Sequence, residues 1–309
     1  MRIVMICLAA ALLLALAALL AAFKIAFYSR PRPLDPYRVP SGKQFQAVKG
    51  RMLELVGAID ALPFEPVSIV SHDGLRLSGR YYHLRDGAPL QINFHGYRGS
   101  ALQDFCGGMT IARAAGRNVL LIDERAQGES EGRVISFGVN ERRDCLQWAE
   151  YAVSRFGAET KIILSGVSMG AATVLMASEL PLPANVKCII ADCPYSSPEA
   201  IIRKVCGEIG LFGRLMYPFT RLSAILLGGF RLSASTAVSA VRRAKVPILL
   251  IHGEADHYVP CSMSAEIAAA CASPVRRETF PGAGHVLSFL CDGERYARIT
   301  EEFLASCGL

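Results

Sequence analysis

A serine between two glycines is the first feature of this sequence that could do chemistry. Gly166, Ser168 and Gly170 form a G-x-S-x-G pattern that follows a short apolar run, residues 161–164, and precedes a helix-like run, residues 171–180. A tight turn between a strand and a helix presents such a serine as a nucleophile. The turn strains the serine backbone, so the residues two positions away must be small. The alternative is a helix N-cap, in which the hydroxyl accepts a hydrogen bond from a backbone amide.

A serine hydroxyl attacks only when a base takes its proton and an acid orients that base. Asp256 follows an apolar run at 248–251, and His285 follows another at 276–280. Because parallel strands bring their carboxyl ends to one edge of a sheet, both residues can meet Ser168 there. The chain order Ser, Asp, His predicts a catalytic triad in which His285 moves the proton and Asp256 holds the imidazole.

Other residues compete for these roles. Glu254 could replace the acid, and His257 could replace the base, although it lies only one position after the acid. His95 and His252 each precede a glycine at a predicted strand end, so we expect them to brace loops. Asp192 also ends a predicted strand. We expect it to cap a loop, and orienting a histidine is its second option.

The composition indicates one large folded domain. The chain has 309 residues, of which 52% are apolar and 19% are charged. That balance supports a large core and excludes global disorder. The ten cysteines are scattered, and no cluster of cysteine and histidine in the sequence completes a zinc site. We therefore expect mostly reduced cysteines, no metal and no cofactor.

The N-terminus is long and apolar enough to cross a membrane. Residues 3–23 contain no charge, and a helix of about 21 residues spans roughly 30 Å. A cleaved signal has a shorter apolar region and a small-residue cleavage site, whereas Phe23 and Lys24 directly follow Ala22 here. We predict an uncleaved, single-pass anchor, with a cleaved signal as the alternative.

All of the net charge lies beside this apolar segment. Residues 1–50 contain seven basic residues and one acidic residue, which accounts for the net charge of +6. Basic residues next to a membrane span favour anionic lipid, and the neutral remainder argues against a nucleic-acid partner. The positive-inside rule favours a cytoplasmic domain, although an N-terminal anchor can also export the domain that follows it.

The patterning divides the chain into three parts. Residues 1–28 are the predicted anchor, residues 29–62 a proline-rich linker and an amphipathic helix, and residues 63–309 a domain in which strands and helices alternate. The strands are expected at 67–70, 75–82, 90–94, 119–122, 162–164, 186–191, 248–251 and 276–280. The helices of the domain are expected at 102–115, 141–156 (capped by Asn140), 171–180, 262–271 and 294–307. This alternation predicts a mostly parallel sheet with helices on both faces.

One segment interrupts the alternation. Residues 196–245 show no strand pattern but two helix-like runs with large apolar residues such as Phe212, Leu215 and Leu226. An insertion above the strand ends is typical of a cap or lid. We expect this cap to cover the site, and its apolar side chains could line an acyl pocket.

Five motifs together resemble one family. They are FHGYRG at 94–99, DERAQGES at 123–130, GVSMG at 166–170, HGEAD at 252–256 and GH at 284–285. With them, residues 65–309 are similar to α/β-hydrolase-fold serine hydrolases, and most similar to bacterial membrane-associated members of the esterase and serine-peptidase type. The resemblance implies the α/β-hydrolase fold and a serine nucleophile. Gln127 departs from the pattern, since many relatives have a histidine there, which affects a structural loop.

The oxyanion of an acyl-transfer reaction needs two backbone donors. One is expected from the amide of Met169, directly after the nucleophile, and the resemblance points to Tyr97 for the other. The neighbouring Arg98 either contacts an acidic group of the substrate or ties down its own loop.

The leading functional hypothesis is a membrane-anchored serine hydrolase that cleaves carboxylic esters, with an acyl-lipid or a small acylated molecule as substrate. A serine aminopeptidase or acyl-peptidase on the same triad is the second hypothesis, because both reactions pass through an acyl-enzyme. The third is a non-catalytic membrane scaffold that uses the fold for binding, against which the complete triad counts.

Overall fold

Eight strands form one sheet at the centre of the molecule. The computed structural model describes residues 1–30, 35–39 and 42–309. The strands are β1 (Glu65–Val70), β2 (Arg76–Tyr82), β3 (Leu90–Phe94), β4 (Asn118–Ile122), β5 (Ile162–Val167), β6 (Val186–Asp192), β7 (Ile248–Gly253) and β8 (Val275–Phe280). Their order is β1-β2-β4-β3-β5-β6-β7-β8. Strands β3 to β8 are parallel, while β1 and β2 form an antiparallel hairpin at one edge. The predicted mostly parallel sheet is confirmed.

Helices precede, connect and follow the strands. They are α1 (Arg2–Ala26), α2 (Lys43–Asp60), α3 (Ala101–Asp104), α4 (Cys106–Ala114), α5 (Glu141–Phe156), α6 (Met169–Ala177), α7 (Pro198–Glu208), α8 (Leu211–Leu226), α9 (Ala237–Val241), α10 (Ser262–Ala270), α11 (Ser288–Cys291) and α12 (Gly293–Ser306). Helices α7, α8 and α9 lie in the segment between β6 and β7 that interrupts the alternation.

Successive residues of the central strand β5 point into two different cores. Leu164 belongs to the same buried cluster as Trp148 of α5, whereas Ile163 packs with Ile111 of α4 and Phe303 of α12. Side chains alternate across a strand, so a strand that is covered on both faces is apolar throughout. Helices therefore cover both faces of the sheet as predicted, and Trp148 lies in the core.

The apolar N-terminal helix ends inside the domain. Phe27, directly after α1, is fully buried, and the centre of its ring lies 5.3 Å from that of Phe230 and 5.8 Å from that of Phe137. The amide of Ser29 donates a hydrogen bond to the carbonyl of Arg133 at 3.0 Å. The chain that leaves α1 is thus an integral part of the fold.

The amphipathic helix α2 packs on the domain. Its buried residues Met52, Val56 and Ile59 belong to a cluster that includes Tyr82 and Val119. Its apolar face is thus covered by the domain. Pro31, Pro33 and Pro40 of the predicted proline-rich linker lie outside the described residues.

The helix predicted over 102–115 is wrong in one respect. It consists of two helices, α3 and α4, which meet at Phe105. Gly107 and Gly108 lie in the first turn of α4, and glycine is a weak helix former that raises the free energy of a continuous helix. A Cβ at Gly107 would also lie 2.2 Å from the ring of Phe289, so the packing requires glycine there.

The cap predicted for α5 is also wrong. Asn140 occupies the N-cap position, but its side chain makes no capping hydrogen bond. Instead the buried carboxylate of Glu141 accepts hydrogen bonds from the amides of Ser136 at 2.7 Å and Gly138 at 2.8 Å. A carboxylate in the first turn also interacts favourably with the helix dipole, which explains why an asparagine cap is dispensable.

Candidate active site

Ser168 lies at the apex of the turn between β5 and α6. Its backbone has φ of +54° and ψ of −111°, in a region that non-glycine residues rarely adopt. A Cβ at Gly166 would lie 2.2 Å from the carbonyl oxygen of Gly170, and a Cβ at Gly170 would lie 1.8 Å from that of Phe94. Both neighbours must therefore be glycine. The Ser168 side chain makes no capping hydrogen bond, which is contrary to the N-cap alternative.

The fold brings the three predicted residues together at the carboxyl edge of the sheet. Nε2 of His285 lies 2.9 Å from Oγ of Ser168, and Nδ1 of the same ring lies 2.6 Å from Oδ2 of Asp256. The side chain of Asp256 is fully buried, and that of His285 is 12% exposed. A proton can pass from the hydroxyl to Nε2 while the carboxylate accepts the Nδ1 hydrogen and fixes the tautomer.

Backbone amides and a second histidine hold the acid in place. Oδ1 of Asp256 accepts hydrogen bonds from the amides of Tyr258 and Val259, each at 2.8 Å. Nε2 of the buried His252 lies 2.9 Å from the carbonyl oxygen of Val259 and 3.4 Å from Oδ2 of Asp256. Burial alone would raise the pKa of Asp256, but hydrogen bonds from His252 and His285 hold that pKa below its ordinary value. The acid is therefore ionised at neutral pH.

The competing residues point elsewhere. Glu254 accepts a hydrogen bond from the hydroxyl of Thr279 at 2.6 Å, and the side chain of His257 is exposed. Asp192 accepts one from the hydroxyl of Tyr296 at 3.1 Å. Burial raises the pKa of Asp192 to about 6. No hydrogen bond joins any of these three side chains to the serine–histidine pair within the described part of the chain.

The two expected oxyanion donors flank the nucleophile. The amide of Met169 is the first of α6, so it has no carbonyl partner within the helix. Tyr97 follows Gly96, and a Cβ at Gly96 would lie 3.4 Å from Cβ of Ser168. The amide of Gly96 donates to the buried carboxyl of Asp104 at 2.7 Å, which fixes the loop. We did not predict Asp104, although an acidic residue in an apolar stretch directly after the loop was the available signal.

The loop after β4 positions the loop after β3, residues 95–100, which we call the oxyanion loop. The amide of Arg98, whose φ is +54°, donates to Oε1 of Gln127 at 2.5 Å. Nε2 of the buried His95 accepts a hydrogen bond from the amide of Glu124 at 3.1 Å, so this histidine braces a loop as expected. Gln127, the residue that departs from the family pattern, thus contacts the loop that carries a predicted oxyanion donor.

The oxyanion loop also contacts the end of α1. The hydroxyl of Tyr97 donates to the carbonyl of Ala26 at 2.9 Å, and the guanidinium of Arg98 donates to the carbonyls of Ile25 at 3.1 Å and Tyr28 at 2.9 Å. The last carbonyls of a helix have no partner within it, so these side chains satisfy them. Of the two roles expected for Arg98, its contacts show the tying down of a loop.

A cavity of about 940 Å³ opens beside Ser168. Its apolar lining comprises Val39, Phe45, Met52, Phe105, Ile111, Val286, Phe289 and Leu290. Its polar lining includes Gln91, Ser165, Asp192, Tyr296 and Thr300. No residue of segment 196–245 lines it within the described ranges, so the expectation that the cap lines an acyl pocket is wrong. Helix α8 instead packs along α1. Residues that precede β1, among them Val39, Phe45 and Met52, line the cavity.

Two groups of side chains have the spacing of metal ligands, but both are engaged otherwise. Cys193 lies beside Asp256 and His285, with all three ligand atoms within 4.8 Å of one another. Burial raises the pKa of the Cys193 thiol, and Nδ1 of His285 is hydrogen-bonded to Oδ2 of Asp256. The second group contains Asp73 and Asp144, whose carboxylates are both paired with the guanidinium of Arg125. The carboxylates of both groups are therefore engaged with other side chains.

Comparison with known sequences finds a matching family and several relatives of this chain. Residues 135–307, more than half of the chain, match the Prolyl oligopeptidase family. The uncharacterized protein YqkD of Bacillus subtilis is 26% identical over 190 residues, which cover 61% of this chain and 62% of YqkD. The chain thus spans less than two thirds of the length of YqkD. The uncharacterized protein YfhR of Salmonella typhi is 25% identical over 252 residues, which cover 76% of this chain and 78% of YfhR.

Solved structures share the architecture. The esterase Pf2001 of Pyrococcus furiosus has a TM-score of 0.66 and 20% identity, and the alignment covers 90% of this chain and 98% of Pf2001. Est1E of Butyrivibrio proteoclasticus, solved with ferulic acid, has a TM-score of 0.59 and 19% identity, with 78% and 98% covered. Similarity at this identity shows the fold alone, and the predicted α/β-hydrolase fold is confirmed.

Proposed function

The chain belongs to the prolyl oligopeptidase family of α/β hydrolases, and from that premise we propose that it is a membrane-anchored serine hydrolase that cleaves carboxylic esters. The observation that carries the proposal is the unbroken hydrogen-bond chain from Ser168 through His285 to Asp256, at 2.9 and 2.6 Å. The proposed organisation is an anchor at 1–28, a linker and helix at 29–62, and a hydrolase domain at 63–309 with an insertion at 196–245.

The proposed reaction proceeds through an acyl-enzyme. Oγ of Ser168 attacks the acyl carbonyl while Nε2 of His285 accepts its proton, and the ionised Asp256 stabilises the imidazolium that forms. The amides of Met169 and Tyr97 donate hydrogen bonds to the oxyanion, and one such donor contributes about 3 kcal/mol to transition-state stabilisation. His285 then protonates the leaving alcohol, and water repeats the sequence to release the acid.

An ester with an apolar acyl group is the substrate class that the cavity favours. Its lining includes the apolar side chains Phe45, Val286, Phe289 and Leu290 beside charged and amide side chains. An apolar acyl chain gains free energy by leaving water for these apolar side chains. The structural neighbour Pf2001 is described as an esterase, and Est1E was solved with ferulic acid bound. An acyl-lipid or a small acylated molecule fits these observations.

The anchor is proposed to be uncleaved and single-pass. Helix α1 contains a window of mean hydropathy 3.1 that is almost entirely unburied. Leu19 and Ala22 are the exceptions, since both are buried against the rest of the chain. Cleavage after Ala22 would remove this packing, which argues against a signal peptide. The basic residues that follow α1 favour a cytoplasmic domain under the positive-inside rule.

A fluorophosphonate probe tests the nucleophile. We expect the detergent-solubilised full chain to be labelled and the Ser168→Ala variant to remain unlabelled, whereas the Ser154→Ala variant, which alters an exposed serine of α5, should still be labelled. Equal labelling of the wild type and the Ser168→Ala variant would rule out the proposed mechanism. Recovery of the full chain in the soluble fraction without detergent would rule out the anchor.

A serine peptidase is the second candidate, and the family match favours it. A panel of p-nitrophenyl esters of increasing acyl length, set against amino-acid anilides, separates the two. We expect kcat/KM to rise with acyl length among the esters and to be lower for every anilide. Faster turnover of an anilide than of all esters would replace the esterase proposal by a peptidase.

A further inference from the structure

We propose that α8 is embedded in the same lipid layer as α1, with its outer face against acyl chains. The occupant of that face is thus a lipid bilayer. The inference rests on the proposed anchor, and it goes beyond it because α8 belongs to the hydrolase domain. Together, α1 and α8 would form a membrane-inserted pair in which α1 spans the bilayer and α8 enters it without crossing.

The side of α1 that faces the protein consists mostly of alanine. Leu19 and Ala22 are buried, and Ala15, Ala18, Phe23 and Ala26 are partly buried, so four of these six residues are alanines. These positions recur every three or four residues and so form one stripe along the helix. Helix α8 packs along α1. Small residues on such a stripe let two helix backbones approach closely, which is the usual way in which helices associate within lipid.

The inner side of α8 is small as well. Its buried residues include Thr220, Ser223 and Ala224. The hydroxyl of Thr220 donates to the carbonyl of Met216 at 3.1 Å, and that of Ser223 donates to the carbonyl of Thr220 at 2.9 Å. Both polar side chains are therefore satisfied within their own helix, and no polar atom of this face needs water.

The outer side of α8 has the opposite character. Its exposed large apolar residues are Leu211, Phe212, Leu215, Leu222, Ile225 and Leu226. Phe212 is 69% exposed and Leu215 is 63% exposed. A helix with small residues inside and large apolar residues outside reverses the pattern of a helix that faces water. The exposed residues of α1, with which α8 is in contact, are also largely apolar.

The position of the contact along α1 decides the depth of α8. The packed residues Ala15 to Ala22 lie inside the charge-free stretch of α1 that would cross the bilayer. Helices in contact have axes about 8–10 Å apart, so α8 must enter the same layer. Its 16 residues give a length of roughly 24 Å, which is too short to span a hydrocarbon core of about 30 Å.

Two arginines border this face. Arg214 and Arg221 lie seven positions apart and are exposed on one flank of α8. Long basic side chains at that position can reach the headgroups while their stems stay in apolar surroundings. Because Tyr97 bonds to the last turn of α1, the oxyanion loop lies at the bilayer surface in this arrangement. The substrate class that follows is an ester of a membrane lipid, which enters the cavity from the bilayer.

Fluorescence quenching by brominated lipid tests the placement. The full chain is reconstituted into vesicles of equal parts phosphatidylcholine and phosphatidylglycerol, with the phosphatidylcholine brominated midway along its acyl chains. Three variants each carry one new tryptophan besides the buried Trp148. They are Leu20→Trp on the exposed side of α1, Phe212→Trp on α8, and Val275→Trp on the edge strand β8. We expect about a twofold loss of the added emission at positions 20 and 212 and none at 275.

The outcomes separate the two proposals. Quenching at position 20 without quenching at position 212 would overturn the placement of α8 and leave the anchor standing, and it would indicate that protein or water covers α8. No quenching at position 20 would overturn the anchor and with it the placement of α8. Labelling of each variant by the fluorophosphonate probe shows that the added indole leaves the fold intact, since Phe212 and Val275 are exposed and lie outside the active site.

Discussion

At the scale of single residues, the environment of each carboxyl group decides what it can do. Asp256 accepts hydrogen bonds from two amides and from His285, so its pKa is lowered and it is ionised. Asp192 ends the neighbouring strand, but burial raises its pKa to about 6, although the hydroxyl of Tyr296 donates a hydrogen bond to it. The same residue type at neighbouring strands therefore differs in the direction of its pKa shift.

The acid of the triad can be tested against its neighbour. We expect Asp256→Asn to lower kcat about 10³- to 10⁴-fold, because the amide cannot hold the required imidazole tautomer. The matched change Glu254→Gln should alter kcat by less than about threefold, since this carboxylate accepts its hydrogen bond from Thr279, away from His285. Hydrolysis of p-nitrophenyl esters measures both. A greater loss from the Glu254 variant would assign the acid to Glu254.

Asp192 makes stability depend on pH. A buried carboxyl with a pKa of about 6 binds its proton more tightly in the folded state than in the unfolded state. Its contribution to the free energy of unfolding is therefore present at low pH and is lost as the pH rises through 6. We expect Asp192→Asn to stabilise the protein at pH 7.5 by up to roughly 3 kcal/mol, and by less at pH 4.5. Thermal unfolding at both pH values measures this. The exposed Asp86→Asn is the control, and an equal gain at both pH values would contradict the expectation.

At the scale of elements, the strand–turn–helix unit around Ser168 is fixed by steric contact. Glycine is required on both sides because the backbones of β3 and of the turn itself approach within the radius of a methyl group. The oxyanion loop is fixed by polar contacts, through Asp104 on one side and Gln127 on the other. The turn could be predicted from local spacing, whereas the loop partners come from other elements.

The turn predicts unequal effects of adding one methyl group. We expect Gly170→Ala to destabilise the fold by about 3 kcal/mol or more, because its Cβ would overlap the carbonyl of Phe94. Gly50→Ala in α2 meets nothing within 4 Å and should stabilise by about 0.5–1 kcal/mol. Chemical unfolding in detergent compares the two. Equal stability of both variants would show that the turn tolerates a side chain.

At the scale of the whole molecule, the N-terminal region and the hydrolase domain form one structure. Phe27 packs between Phe137 and Phe230, and the end of α1 bonds to the oxyanion loop. Helix α2 lines the cavity through Phe45 and Met52. A segment that composition marks as anchor and linker therefore also supports the active site.

The junction gives a prediction at this scale. We expect Phe27→Ala to lower the free energy of unfolding by about 3–5 kcal/mol, since it leaves a cavity in a fully buried aromatic cluster. The matched control is Phe212→Ala, whose ring is exposed and should contribute little in detergent. Differential scanning of both variants in the same detergent measures the difference. An unchanged midpoint for Phe27→Ala would show that the anchor folds independently of the domain.

Much of this protein follows from its sequence alone. The parallel sheet could be predicted because strands buried on both faces must be apolar throughout, and the long apolar helix α1 because residues 3–23 contain no charge. The triad was predicted as a set because strand ends of a parallel sheet converge, which makes the chain order of Ser168, Asp256 and His285 informative.

Tertiary structure decided the rest, because it depends on contacts between residues far apart in the chain. Only the fold shows that Asp104 and Gln127 hold the oxyanion loop, that Arg98 bonds to the end of α1, and that the cavity is walled by α2. The apolar pattern of segment 196–245 was visible in the sequence. The same apolar composition, however, suits a segment that lines a pocket and a segment that faces lipid. The packing of α8 along α1 is the observation from which we propose the second role.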